Sequence, residues 1–426
     1  MTKFTLDKGH YISVCILFCL AACGSRDNNK NKQSVENNIS NDGHPVSNVT
    51  DNDMESYTYE LSDDDRQSEN QNFQGVKTAA YTDAGFYAYN YNDDKNHIYF
   101  VDKKSRRAEV LCYVPGCHHD MYSCNARYVD FKGLYVSGSH LYVISSDAEG
   151  DDDDKNVYLY RMNLDGSEKT AVTKLFAVEE EDLSFSLEFI IHRGYGYMVI
   201  NWLDTEPSSE REQILYRVSL EDGSREEVYK IKGYCPDMRI TNTDGDYIYL
   251  TNTVYSDKQG AGVEASSVEY DTVGGTIQEL AVPDGCQLRA CYGRKIYYID
   301  RETQIDKYSV KTEKKLDIYR SDIDGSSSEI LYSMPKEDIE KKINVSLINM
   351  DGEYIYIFYN EVSTGDRYLR IVSEKGEKVR DYKLNATGKS DKDCIWSDKE
   401  NLLLYDLGMN KYLLYNIKKG REVKLR

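Results

Sequence analysis

Apolar and aromatic residues recur along the chain in short runs, separated by polar turns rich in Asp and Gly. Such runs include Phe86-Tyr87, Leu141-Tyr142-Val143, Tyr197-Met198-Val199 and Ile248-Tyr249-Leu250. They continue as Ile296-Tyr297-Tyr298, Ile355-Tyr356-Ile357 and Leu403-Leu404-Tyr405. None alternates cleanly between apolar and polar. Both faces are apolar, as expected of a strand covered on both sides. Each run is followed by a second strand that ends in a tight turn. The clearest copies are Leu159-Tyr160-Arg161 running to Asp165-Gly166-Ser167, Leu215-Tyr216-Arg217 to Asp222-Gly223-Ser224, and Ile318-Tyr319-Arg320 to Asp324-Gly325-Ser326. Asp-Gly between two strand-like runs predicts a type I′ hairpin. Weaker copies end at Ser105, Gly275, Gly376 and Gly420, which brings the count to seven. A helical pattern is confined to a short insertion over Lys336–Lys342.

Seven units over residues 76–426 allow about 50 residues each, close to the length of a four-stranded blade. The pattern predicts an all-β chain folded as a seven-bladed β-propeller, with six or eight blades as the neighbouring counts. A solenoid is the competing repeat architecture. Stacked blades bury their middle strands between neighbours, which accounts for the doubly apolar runs. The 38 Tyr, 28 Gly and 6 Pro suit strands joined by many short turns.

The repeats resemble those of TolB-like and YWTD-like propellers, found in many bacterial surface lipoproteins. A second resemblance lies in Leu111-Cys112-Tyr113-Val114-Pro115-Gly116-Cys117-His118-His119-Asp120, followed by Ser123-Cys124-Asn125-Ala126. This stretch is similar to a segment of uncharacterised propeller lipoproteins from Gram-positive anaerobes. The resemblance implies fold and location, and carries no activity.

Ahead of the repeats the pattern changes twice. Lys3 and Lys8 precede an uncharged apolar run from Tyr11 to Ala22. A helix of that length spans about 18 Å, short of the ~30 Å hydrocarbon core, so the run reads as a signal peptide over residues 1–22. Leu20-Ala21-Ala22-Cys23-Gly24 resembles the lipobox of bacterial lipoproteins, which implies lipid on Cys23. Residues 23–75 are dominated by Asn, Asp, Ser and Glu and predict a disordered tether. About 50 such residues reach roughly 40 Å. The expected location is therefore extracytoplasmic, anchored to the outer face of the cell membrane.

Seven cysteines follow Cys23: 112, 117, 124, 235, 286, 291 and 394. The repeat register places all but Cys291 at or before the first strand of a blade, toward one end of the disc. Cys112, Cys117, His119 and Cys124 fall between the first and second blades. They offer ligands suited to tetrahedral Zn²⁺, although the usual C-x2-C knuckle is missing. A disulfide-braced or plain structural loop is the favoured reading of this stretch, and a metal site the alternative. Haem attachment is a third reading, disfavoured because Cys112-x4-Cys117-His118 departs from C-x2-C-H. No cofactor is assigned outright, and Zn²⁺ at this cluster is the candidate.

The net charge is −20, which argues against nucleic acid as a partner. Asp147, Glu149, Asp151, Asp152, Asp153 and Asp154 crowd one loop, and Glu206, Glu210 and Glu212 the corresponding loop of the next blade. An acidic rim would steer cations or a basic partner. Tyr113, Tyr122 and Tyr234, expected in face loops, join Asp151–Asp154 as candidates for a ligand face. There is no Gly-x-Ser-x-Gly elbow and no phosphate loop, and Gly194-x-Gly196 lacks a third Gly. The expectation is a monomeric, non-enzymatic binding or scaffold module for a protein or glycan. A glycan hydrolase or lyase with its site at the channel mouth is the alternative, as is a metal protein built on residues 112–124. The ligand and any catalytic residues stay unassigned.

Overall fold

The computed structural model describes residues 77–90, 96–119, 124–146, 155–178, 184–203, 210–256, 262–384, 392–397, 400–406 and 411–423. Blade one is β1 (Ala79–Thr82), β2 (Gly85–Tyr89), β3 (Ile98–Asp102) and β4 (Ala108–Val110). Blade two is β5 (Val129–Ser137), β6 (His140–Ser146), β7 (Lys155–Asn163) and β8 (Thr170–Val178). Blade three is β9 (Ser184–His192), β10 (Tyr195–Leu203), β11 (Glu210–Ser219) and the first half of β12 (Arg225–Asp244). The second half of β12 opens blade four, with β13 (Tyr247–Tyr255), β14 (Val263–Asp271) and β15 (Ile277–Glu279). Blade five is β16 (Gln287–Tyr292), β17 (Lys295–Ile305), β18 (Lys311–Asp322) and β19 (Glu329–Ser333). A short helix, α1 (Lys336–Glu340), leads to blade six. That blade is β20 (Ile343–Met350), β21 (Tyr354–Glu361), β22 (Arg367–Ser373) and β23 (Lys378–Leu384). Blade seven is β24 (Lys392–Ser397), β25 (Asn401–Asp406), β26 (Lys411–Asn416) and β27 (Arg421–Val423).

Each blade is an antiparallel meander in chain order, and the first strands of neighbouring blades touch from β24 through β1, β5, β9, β12 and β16 to β20 around a common hub. The chain is thus a seven-bladed β-propeller. Its core is divided into seven apolar clusters, one at each seam between neighbouring blades. This division explains the doubly apolar runs. Side chains alternate across a strand, so each strand serves two seams. Ile355 and Ile357 pack toward blade five, while Tyr356 and Phe358 pack toward blade seven. Leu134 and Val136 face blade one, and Tyr135 between them faces blade three.

Two details differ from the sequence expectation. The link between blades three and four is no loop. β12 pairs with β11 through Tyr234 and with β13 from Tyr234 onward, so the two blades form one seven-stranded sheet. The two halves are reconciled by a bulge between Tyr234 and Asp237, where Cys235 takes a positive φ of 43°. The Asp-Gly turns also differ. Gly166 has φ +83° while Asp165 keeps a negative φ. The Gly166 amide donates to Asn163 O at 2.9 Å, and the Asn163 amide to Ser167 O at 2.9 Å. This is a type I turn followed by a left-handed glycine rather than type I′. The Asp165 carboxylate accepts from the Ser167 amide at 2.9 Å and so locks the turn from outside.

The ring closes without strand exchange, because blades one and seven are each built from consecutive strands. The closing seam packs Phe86, Ala88, Tyr99 and Val101 against Leu403, Tyr405 and Tyr412. The Tyr412 hydroxyl, buried there, donates to Thr78 O at 2.9 Å and Tyr89 O at 3.0 Å. At the seam of blades five and six, buried Arg370 gathers α1 to the sheet. It bonds Asp338 Oδ2 at 2.9 Å, Asp381 Oδ1 at 2.7 Å and Tyr332 Oη at 2.9 Å.

Candidate metal centre

The link from β4 to β5 lies at the same end of the meander as the turn from β17 to β18. Its path is set by backbone hydrogen bonds to β3. Leu111 N donates to Ile98 O at 2.9 Å, and Ile98 N to Ala126 O at 2.8 Å. The segment between them is thereby folded back on itself. Gly116, with φ +73°, makes the turn that returns the chain, and Cys117 N donates to Val114 O at 3.2 Å. The next ligand, His119, itself sits in the left-handed region at φ +59°.

This path brings one ligand atom each from Cys112, Cys117, His119 and Cys124 within 4.8 Å of one another. Cys124 Sγ lies 3.4 Å from His119 Nδ1. In a tetrahedral zinc site, Zn–S bonds of about 2.3 Å place the sulfurs about 3.8 Å apart. A contraction of about 1 Å at the widest edge would therefore complete the shell. Three thiolates and an imidazole are the donor set that zinc and other thiophilic ions prefer. Burial pushes the Cys124 thiol up to about 12; a hydrogen bond from the Ala126 amide opposes this, and the Cys112 and Cys117 thiols add to it. Among the described residues, Cys112, Cys124, Cys286 and Cys291 are free thiols.

Around the ligands lies a supporting layer. His119 N donates to Cys117 Sγ at 3.4 Å. The buried ring of His97 places Nε2 at 2.5 Å from the His119 carbonyl oxygen. His97 was not singled out in the sequence, where it is one of five histidines after the tether; only the fold brings it 22 positions along the chain to the cluster. Cys112, Cys117 and buried Cys124 also pack into the seam of blades one and two. His118, the histidine of the haem pattern, is exposed, and the cluster is completed by His119.

Of the ligand-face candidates, Tyr113 stands 64% exposed between two of the cluster cysteines. Tyr234 is corrected: it is a half-buried residue within β12, opposite Glu210 and Tyr255, because no loop exists there. Tyr122, Asp151–Asp154 and Cys23 lie outside the described residues. At the hub, burial holds the Glu188 carboxyl above its usual range, against the pull of Arg239 and Lys77. Arg239 lies 3.8 Å from Glu188 and 2.9 Å from Asp237. This is a salt-bridged collar between blades three and four. Among the described residues, no helix is long and apolar enough to cross a membrane.

No family model matches the chain, and no curated protein does. Among solved structures, it is similar to a prolyl endopeptidase studied for inter-domain dynamics, at 12% identity and TM-score 0.54, over 84% of this chain and 50% of that one. It is also similar to prolyl oligopeptidase B from Galerina marginata, at 12% identity and TM-score 0.49, over 85% of this chain and 52% of that one. An oligogalacturonate lyase in complex with manganese aligns at 13% identity and TM-score 0.49, over 81% of this chain and 88% of that one. The chain thus spans about half the length of the two peptidases. At these identities the likeness concerns the fold, and the first match supports the propeller architecture.

Proposed function

We propose that this chain is a non-enzymatic binding or scaffold propeller whose first inter-blade link is pinned by a structural zinc ion. The convergence of Cys112, Cys117, His119 and Cys124 carries the proposal. Catalytic zinc keeps a coordination position open for water or substrate, whereas structural zinc is enclosed by four protein ligands. Here the protein supplies all four. The ion's role is to fix the link across the loop-bearing end of the disc, so that exposed Tyr113 and its neighbours form a firm platform for a protein or glycan ligand.

Purified full chain, kept under reducing conditions, should contain about one zinc per molecule by elemental analysis. Co²⁺ in its place should give the intense visible bands of a tetrahedral thiolate site. A chain that is metal-free as purified and fails to take up Zn²⁺ would sink the metal assignment. Turnover of a glycan or peptide, abolished by a substitution on the same face, would sink the scaffold assignment.

The same proposal places the propeller outside the cytoplasm, held to the membrane by lipid on Cys23. Cys23→Ser should then release the protein from the membrane fraction. Retention of the variant in that fraction would count against the anchor.

A further inference from the structure

The left-handed backbone of His119 is held from outside its own loop. Residues other than glycine adopt a positive φ rarely, because Cβ then crowds the following carbonyl oxygen. At φ +59°, His119 therefore sits in a conformation that needs support. Its carbonyl oxygen faces Nε2 of His97 at 2.5 Å. A carbonyl oxygen can only accept, so Nε2 carries the hydrogen and donates it. The two imidazoles meet edge to face, with centroids 6.1 Å apart and planes at 73°.

His97 is itself fixed in blade one. It is 2% exposed, and Asn90 N donates to its carbonyl oxygen at 2.8 Å. It forms an antiparallel bridge with Arg127, and the next residue, Ile98, opens β3. Ile98 grips the two ends of the metal loop, accepting from Leu111 N and donating to Ala126 O. His97 grips the middle of the same loop, between Cys117 and Cys124. Three contacts of His119 then depend on one pair of backbone angles. Its amide donates to Cys117 Sγ at 3.4 Å, its carbonyl accepts from His97, and its Nδ1 lies 3.4 Å from Cys124 Sγ. A turn of the backbone at residue 119 would disturb all three together.

We propose that His97 is the positioning residue of the metal centre. Its Nε2–H bond locks the His119 carbonyl, and so holds the His119 ring and the Cys117 thiol in place for a thiophilic ion. The inference rests on the zinc reading above and names the residue that governs how long the ion is kept. Groups that bond to a ligand rather than to the metal commonly change metal affinity by about 10–100-fold. His97 touches the backbone of the ligand and not its donor atom, so it acts on geometry. Without that bond, residue 119 can leave the left-handed region, and each departure swings Nδ1 away from Cys124 and opens the shell.

The test loads purified full chain with Zn²⁺ under reducing conditions and follows release to excess chelator. In His97→Gln the amide nitrogen falls near the place of Nε2 and keeps a donor there. In His97→Asn it falls near the place of Nδ1 and does not reach the His119 carbonyl. The Asn variant should release zinc about 10–100-fold faster than the parent, while the Gln variant stays close to the parent rate. His97→Phe fills the space without a donor and should release zinc as fast as the Asn variant. Metal-free melting temperatures of the Gln and Asn variants should agree, with a smaller zinc-induced rise in the Asn variant. Three results would overturn the proposal: release from the Asn and Phe variants at the parent rate, equal acceleration in Gln and Asn, or an Asn melting deficit of the same size with and without zinc. A parent chain that takes up no Zn²⁺ would remove the zinc reading and this inference with it, so the two failures are told apart.

Discussion

Tyr412→Phe should loosen the propeller at the seam where its ends meet. Every other seam joins blades that are consecutive in the chain. Among the described residues, the seam of blades seven and one is held by apolar side chains and by the Tyr412 hydroxyl. That hydroxyl has a single proton to share between Thr78 O at 2.9 Å and Tyr89 O at 3.0 Å. Phenylalanine keeps the ring and its contacts, including the Tyr405 ring at 4.8 Å. Thr78 O also keeps a bond from the Tyr89 amide at 2.9 Å. The loss is therefore about one buried hydrogen bond, ~1–2 kcal/mol. Denaturant unfolding should show that difference as a lower midpoint at unchanged slope. Native-state hydrogen exchange locates it: amides of β1, β2 and β26 should lose protection while those of blades three and four keep theirs. Tyr356→Phe is the control. Its hydroxyl bonds Asp351 Oδ2 at 2.6 Å and Ser397 Oγ at 2.7 Å, in a seam whose blades are joined by the chain. A change below about 0.5 kcal/mol, or protection lost evenly around the ring, would refute the claim that this seam is the weakest closure.

Gly376→Ala should destabilise by more than 1 kcal/mol, roughly, because φ is +80° and a Cβ there would overlap the Leu331 carbonyl oxygen; a thermal melt within error of the parent would contradict this. Asp338→Asn tests the Arg370 network. Burial pushes the Asp338 carboxyl up, but the hydrogen bonds from Lys341 and Arg370 outweigh it and hold the group below its usual range. Its stabilising contribution is thus present above the unfolded carboxylate pKa of about 3.9 and is lost as pH falls through the lower folded value. The stability gap between Asn variant and parent should be widest near neutral pH and close in acid. A gap that persists in acid would show that packing of α1, and not charge, is responsible. Cys124→Ser should cut bound zinc and lower the melting temperature, and a strong chelator should move the parent to the same temperature without affecting the variant.

Much of the ring was legible before any coordinates. A strand that must serve two seams is apolar at successive positions, so runs such as Ile355-Tyr356-Ile357 marked the middle of each blade. The glycine turns then gave the repeat. The metal candidates were legible for a different reason: Cys112, Cys117, His119 and Cys124 sit close in sequence and need only one turn to meet. Continuity through Cys235 was hidden, because nothing in residues 225–244 distinguishes an extended link from a loop with strands on either side. Arg370 and Asp338 were hidden too, since the ion pair joins residues 32 apart in the chain.

The unbroken β12 strand also bears on how the ring could be rearranged. A circularly permuted chain needs new ends where the backbone can be cut without losing a ladder. Links that cross the disc as loops offer such places, and the native closure between blades seven and one already is one. The join between blades three and four offers none, because a cut there severs a strand paired on both sides. Blades three and four would therefore have to travel together in any permutant, as a double tile in a ring otherwise made of single ones.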